Sequence, residues 1–138
     1  MAEIVKHRNS RTVLPSTTFL TGAITITAAG AILAQSGVRD CGVTFTKNAT
    51  AGRYDGVIHR GYKRVTKATA NVHGAAAGDV PVVTDGNLAY VNGISAANWA
   101  GTTPISTFSI QCCTSNGVAT VANPKSGDTI SWKLQVND

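Results

Sequence analysis

Charge is scarce in this chain. Only 14% of its 138 residues are Asp, Glu, Lys or Arg, against about 25% in an ordinary soluble domain, so Thr, Ser, Ala, Asn and Gly must cover much of the surface. Uncharged hydroxyls and amides lose far less than ions on leaving water, so such a surface suits extensive, permanent contacts. Acids are rarest of all. A single glutamate, Glu3, and six scattered aspartates leave no carboxylate pair of the kind glycosidases use. His7, His59 and His73 are spaced for neither a zinc nor a di-iron site. No GxSxG elbow or other nucleophile motif is present, so neither catalysis nor a metal or other cofactor is expected. The three cysteines, Cys41, Cys112 and Cys113, are odd in number, with two adjacent, and form no CxxC pair. They read as buried free thiols rather than a disulfide framework, which suits a reducing compartment. No apolar run approaches the roughly 18 residues of a membrane span. The N-terminus lacks the order of a signal peptide, so neither membrane insertion nor secretion by that route is expected.

What charge there is lies to one side. Residues 1–67 hold ten basic residues against Glu3, Asp40 and Asp55, a balance of +7; the remainder holds two against four, a balance of −2. A half-basic chain prefers an acidic partner, although the same charge on a solvated face merely keeps a protein soluble. Direct contact with nucleic acid is not expected, because only Tyr54 and Tyr62 sit among the basic residues and stacking binders interleave several aromatics. Gly52, Gly56 and Gly61 have no helix after them to hold a phosphate, so turn and bulge duty is their expected role.

Residues 1–16 read as an extended arm, with charges mixed among isolated apolar residues at no sustained period and Pro15 forcing an extended approach to the first strand. Ile4, Val5, Val13 and Leu14 are its candidate anchors on a partner. Lys6, Arg8 and Arg11 would keep it soluble when free. From Thr17 to Asp138 the signal is strand after strand in one domain, beginning with Ala23 to Thr27 and Cys41 to Thr46, which alternate apolar and polar residues. Gly56 to Val72 is a longer β-branched stretch. Its basic run, Arg60 to Lys67, reads as a loop or an edge. Asp85-Gly86 predicts a type I′ hairpin between Val80–Val83 and Leu88–Val91, and Ser115-Asn116-Gly117 a second one leading into Val118–Ala122. The strand at 129–136, with Ile130, Trp132, Leu134 and Val136 on one face, is the clearest. The best helix candidate, Ile94 to Ala100, is short. About eight short strands with turn signals at intervals near ten residues predict an all-β antiparallel sandwich or jelly roll. Trp132 is expected in the core, whereas Trp99 is open to a sugar-stacking role.

The basic arm, the Thr/Ala/Gly-rich all-β domain and the closing NPKSGDTISWKLQV strand together resemble the small jelly-roll cement, or decoration, proteins of tailed-bacteriophage heads, such as that of Bordetella phage. The resemblance implies a virion structural protein made in the host cytoplasm. It would sit on the capsid exterior as a homo-oligomer, dimer or trimer, and bridge major-capsid subunits to stabilise the shell. On that reading the partner-binding residues are the seven of the arm named above together with Arg53, Arg60, Lys63, Arg64 and Lys67. The run Ser126-Gly127-Asp128-Thr129-Ile130 is also similar to the last strand of C1q- and TNF-like trimeric jelly rolls. That likeness implies the alternative, a trimeric phage fibre head or glycan-binding receptor module.

Overall fold

A computed structural model describes residues 17–37, 42–74 and 82–137. The arm of residues 1–16, and with it Ile4, Val5, Lys6, Arg8, Arg11, Val13 and Leu14, lies outside the described residues. The described residues form the predicted antiparallel β-sandwich. Its strands are β1 (Thr17–Ile26), β2 (Ile32–Gln35), β3 (Val43–Lys47), β4 (Arg53–Tyr62), β5 (Arg64–His73), β6 (Leu88–Asn92), β7 (Ile105–Cys113) and β8 (Thr129–Asn137), with one short helix, α1 (Ala96–Ala100). Sheet A runs in the order β2-β1-β8-β5 and sheet B in the order β3-β4-β7-β6.

Period-2 alternation decides which residues go inside. Leu20, Ile24 and Ile26 of β1 and Ile130, Trp132, Leu134 and Val136 of β8 meet Phe45, Tyr54, Ile58, Phe108 and Ile110 from sheet B. At the centre, Trp132 and Phe108 each cross Phe45 edge to face, with ring centres 5.3 and 5.4 Å away. Two glycines make room for these rings. A Cβ on Gly22, the register partner of Trp132, would lie 2.7 Å from the indole, and one on Gly56 would lie 2.8 Å from the Phe45 ring. Gly56 therefore serves ring packing within β4 rather than a turn; of the three glycines read together, Gly52 is the one at a positive φ, of 69°.

The apparent single stretch from Gly56 to Val72 is two strands in different sheets, because the chain crosses from sheet B to sheet A at Lys63. Asp85-Gly86 forms no type I′ turn. Neither residue has a positive φ, and Val82 and Val83 lie outside any strand. Gly86 is glycine for another reason: its N–H donates to the Asn123 carbonyl at 2.8 Å, and a Cβ there would lie 2.1 Å from the Ala122 carbonyl oxygen. The second hairpin exists only in outline. Gly117 turns the chain at φ 92°, but Val121 alone pairs back, with Cys113.

At the β2/β3 side of the sandwich a side chain closes the gap between sheets. The Gln35 amide accepts from the Phe45 N–H at 2.8 Å and donates to the Phe45 carbonyl at 3.1 Å. It thus supplies the two bonds that a neighbouring strand would make to an edge strand.

Candidate interaction surfaces

The outer face of sheet A is built by the residues that alternate with the core. In register, Phe19, Gln135 and Lys67 form one row and Thr21, Lys133 and Thr69 the next. Ala23, Ser131 and Asn71 come after them, then Thr25, Thr129 and His73. None of them is acidic. Lys133 holds its ammonium 4.5 Å from the centre of the Phe19 ring, a cation–π contact over a side chain that is 52% exposed.

Three further cations gather where the chain changes sheets. Arg64 lies beside Asn137 at the start of β5, and its Nε donates to the Trp99 carbonyl at 2.8 Å. The Lys63 N–H donates to the Asn137 carbonyl at 2.9 Å, and the Arg60 guanidinium lies 5.2 Å from the Tyr62 ring centre. Helix α1 keeps Trp99 in place: Ser95 caps it by accepting from the Asn98 N–H at 3.1 Å, and the Asn98 side chain accepts from the Ser95 N–H at 3.0 Å. Four of the five basic residues singled out in the domain sequence, Arg60, Lys63, Arg64 and Lys67, thus surround one corner.

Two further residues belong to that surface, Phe19 and Lys133. Each sits in a polar–apolar alternation, and only the register of β1 against β8 brings them together.

Arg53 is set apart on the outer face of sheet B, where its charge is already matched. Its Nε donates to Asp55 Oδ1 at 3.1 Å. The same carboxylate accepts from Asn48 Nδ2 and from the Ser109 hydroxyl, each at 2.7 Å. These donors, Asn48 foremost, hold the Asp55 carboxyl below the usual aspartate range, against an opposing push from partial burial. A depressed pKa means that the unfolded chain takes up the proton first. The contribution of Asp55 is therefore full above the ordinary aspartate range and is lost as the pH falls through the folded value. Asp55→Asn is expected to cost about 1 kcal/mol at pH 7. The gap between variant and parent should close as unfolding is followed down toward pH 3, and a gap independent of pH would refute the carboxylate's role.

Cys112 is fully buried and Cys113 nearly so, both as free thiols. Burial pushes the Cys112 thiol up to about 12. It is therefore no nucleophile at neutral pH, since the thiolate is the reactive form. No group of three His, Cys, Asp or Glu able to hold a metal occurs among the described residues, and no helix among them is long and apolar enough to cross a membrane. No family model matches the chain, and neither a curated protein nor a solved structure matches it.

Proposed function

We propose that this protein is a cement protein of a tailed-phage head. It binds the capsid exterior through the outer face of sheet A and the adjoining β4–β5 corner, and bridges major-capsid subunits without catalysis. The observation that carries this reading is the pairing of four cations with no ion-pair partner among the described residues, Lys63, Arg64, Lys67 and Lys133, with a field of Thr, Ser, Asn and Gln around the exposed Phe19. Such a face is cheap to desolvate and matches an acidic protein surface, and Phe19 beneath Lys133 gives it one apolar anchor.

The size of the face fits many weak contacts. Strands about 4.8 Å apart and up to ~30 Å long present on the order of 400–500 Å², short of the ~800 Å² per partner in a standard interface. A single copy would hold poorly. Repetition over a symmetric shell supplies avidity instead.

The test is direct. Electron cryomicroscopy of the native particle should place the protein at regular sites on the head. The doubly reversed variant Lys67→Glu/Lys133→Glu, which alters only exposed side chains, should keep its melting temperature and lose more than about tenfold in occupancy on stripped heads. Density confined to a tail or fibre tip would replace this reading with the receptor-binding one.

A further inference from the structure

Two asparagines in the chain are followed by glycine, Asn92 and Asn116. Such a pair can cyclise, because the glycine nitrogen has no Cβ beside it to shield it from the side-chain amide carbon of the asparagine. Local geometry decides whether it does. Asn92 closes β6, and Gly93 follows it exposed, at φ 77°. The Gly93 N–H donates to Asn92 Oδ1 at 2.8 Å. That contact sets the amide carbon bearing this oxygen beside the nitrogen, so most of the approach has already been made.

The other candidates among the described residues are held back. Asn116 Oδ1 accepts from the Thr114 hydroxyl at 3.1 Å and from the Val118 N–H at 3.3 Å, so two donors hold its carbonyl and neither is the Gly117 nitrogen. Asp85-Gly86 has the residues to close the same ring, but Gly86 donates its N–H to the Asn123 carbonyl at 2.8 Å. Asn98 is buried, and the Trp99 N–H after it donates to the Ser95 carbonyl at 3.1 Å. Asn123 precedes Pro124, which has no N–H to lose.

We infer that Asn92 is a site of spontaneous deamidation, with water as the only co-reactant. Gly93 gives its amide proton to solvent and its nitrogen bonds to Asn92 Cγ; the bond from Cγ to Nδ2 breaks, and that nitrogen takes up a proton and leaves as ammonia. A succinimide remains. Water then opens it at Cγ, giving aspartate, or at the backbone carbonyl, giving isoaspartate, and nothing is oxidised or reduced. Either product adds a carboxylate at the end of the row that holds Ser109 and Asp55 and lowers the chain's net charge of +5 by one. Isoaspartate also adds a methylene to the backbone joining β6 to α1, the helix whose Trp99 carbonyl holds Arg64. The reaction needs no partner, so it stands apart from the capsid reading.

The full folded chain, kept at mildly alkaline pH in water enriched in heavy oxygen and then digested, tests it. Cleavage at Tyr90, Trp99 and Phe108 separates Asn92 from Asn116 for mass spectrometry. Heavy oxygen should enter at Asn92 ahead of Asn116, as a mixture of aspartate and isoaspartate, and faster as the pH rises, because the nitrogen attacks only after losing its proton. On isoelectric focusing, the acidic form should accumulate more than about tenfold more slowly in Asn92→Gln, whose longer side chain carries the carbon away from the nitrogen, and at nearly the parent's rate in Asn116→Gln. The map of the parent needs no variant, so it decides even where Asn92→Gln is unstable. Heavy oxygen entering first at Asn116, or none at Asn92 over the time in which the unfolded chain takes it up there, overturns the inference.

Discussion

Replacing Trp132 with alanine is expected to lower stability by about 3–5 kcal/mol, a large part of the 5–15 kcal/mol that holds a domain of this size together. The indole is 3% exposed and touches both Phe45 and Phe108, with ring centres 5.3 and 5.7 Å away. It also fills the space that Gly22 leaves open beside it. Truncation would therefore strand two phenylalanines at a cavity that neighbouring strands cannot close without breaking register. Trp132→Phe should cost far less, about 1 kcal/mol. It keeps an aromatic ring between the sheets, and the indole N–H it removes has no hydrogen-bond partner among the described residues. Chemical denaturation of both variants checks the pair of values. Equal losses would mean that ring shape, and not the filling of volume, governs the site.

Gly52→Ala is expected to be comparably severe, about 3 kcal/mol, for a different reason. Gly52 sits at φ 69°, and a Cβ there would lie 2.1 Å from the Ala122 carbonyl oxygen and 2.8 Å from that of Cys112. Both obstacles are backbone, so no side chain can swing aside. The site is also a junction. The Gly52 N–H donates to Asn123 Oδ1 at 2.7 Å, Gly86 donates to the Asn123 carbonyl, and Gly30 packs against the Asn123 side chain. Three loops thus lean on one asparagine. Gly61→Ala is the control: nothing lies within 4 Å of its would-be Cβ, so a melting temperature near the parent's is expected. A mild Gly52→Ala would show that the 120–123 segment yields more readily than its contacts imply.

The sandwich was legible because alternation at 23–27, 107–112 and 129–136 is a local property. Inward and outward residues differ in hydrophobicity over a handful of positions, and the closing strand carries Ile130, Trp132, Leu134 and Val136 without interruption. What could not be read is whatever depends on a distant partner. The stretch from Gly56 to Val72 reads as one β-branched segment with a basic run inside it, and nothing in that run says that the strands before and after Lys63 belong to different sheets. Asp85-Gly86 has turn chemistry, but its glycine answers to a backbone contact with Ala122, nearly forty residues on. The same limit applies to the surface. Arg60, Lys63, Arg64 and Lys67 are neighbours in sequence and remain so in space, whereas Phe19 and Lys133 meet only through the register of β1 on β8. Arg53, although one of the five basic residues singled out in the domain, is matched by Asp55 two residues away on the same strand face.

The place of β8 between β1 and β5 has a consequence for synthesis. Thr17 at the start of β1 and Asn137 at the end of β8 are register partners separated by 120 positions, and β1 and β5 touch each other only through β8. While the ribosome is still translating residues 129–137, both strands have a bare edge and sheet A has no middle. Sheet A therefore closes only once residues 129–137 are in place, and the rate of that step is set by a long-range closure of the slow, millisecond-to-second kind. In a cell making many copies at once, the nascent chains are most open to mispairing with one another in the interval before β8 arrives.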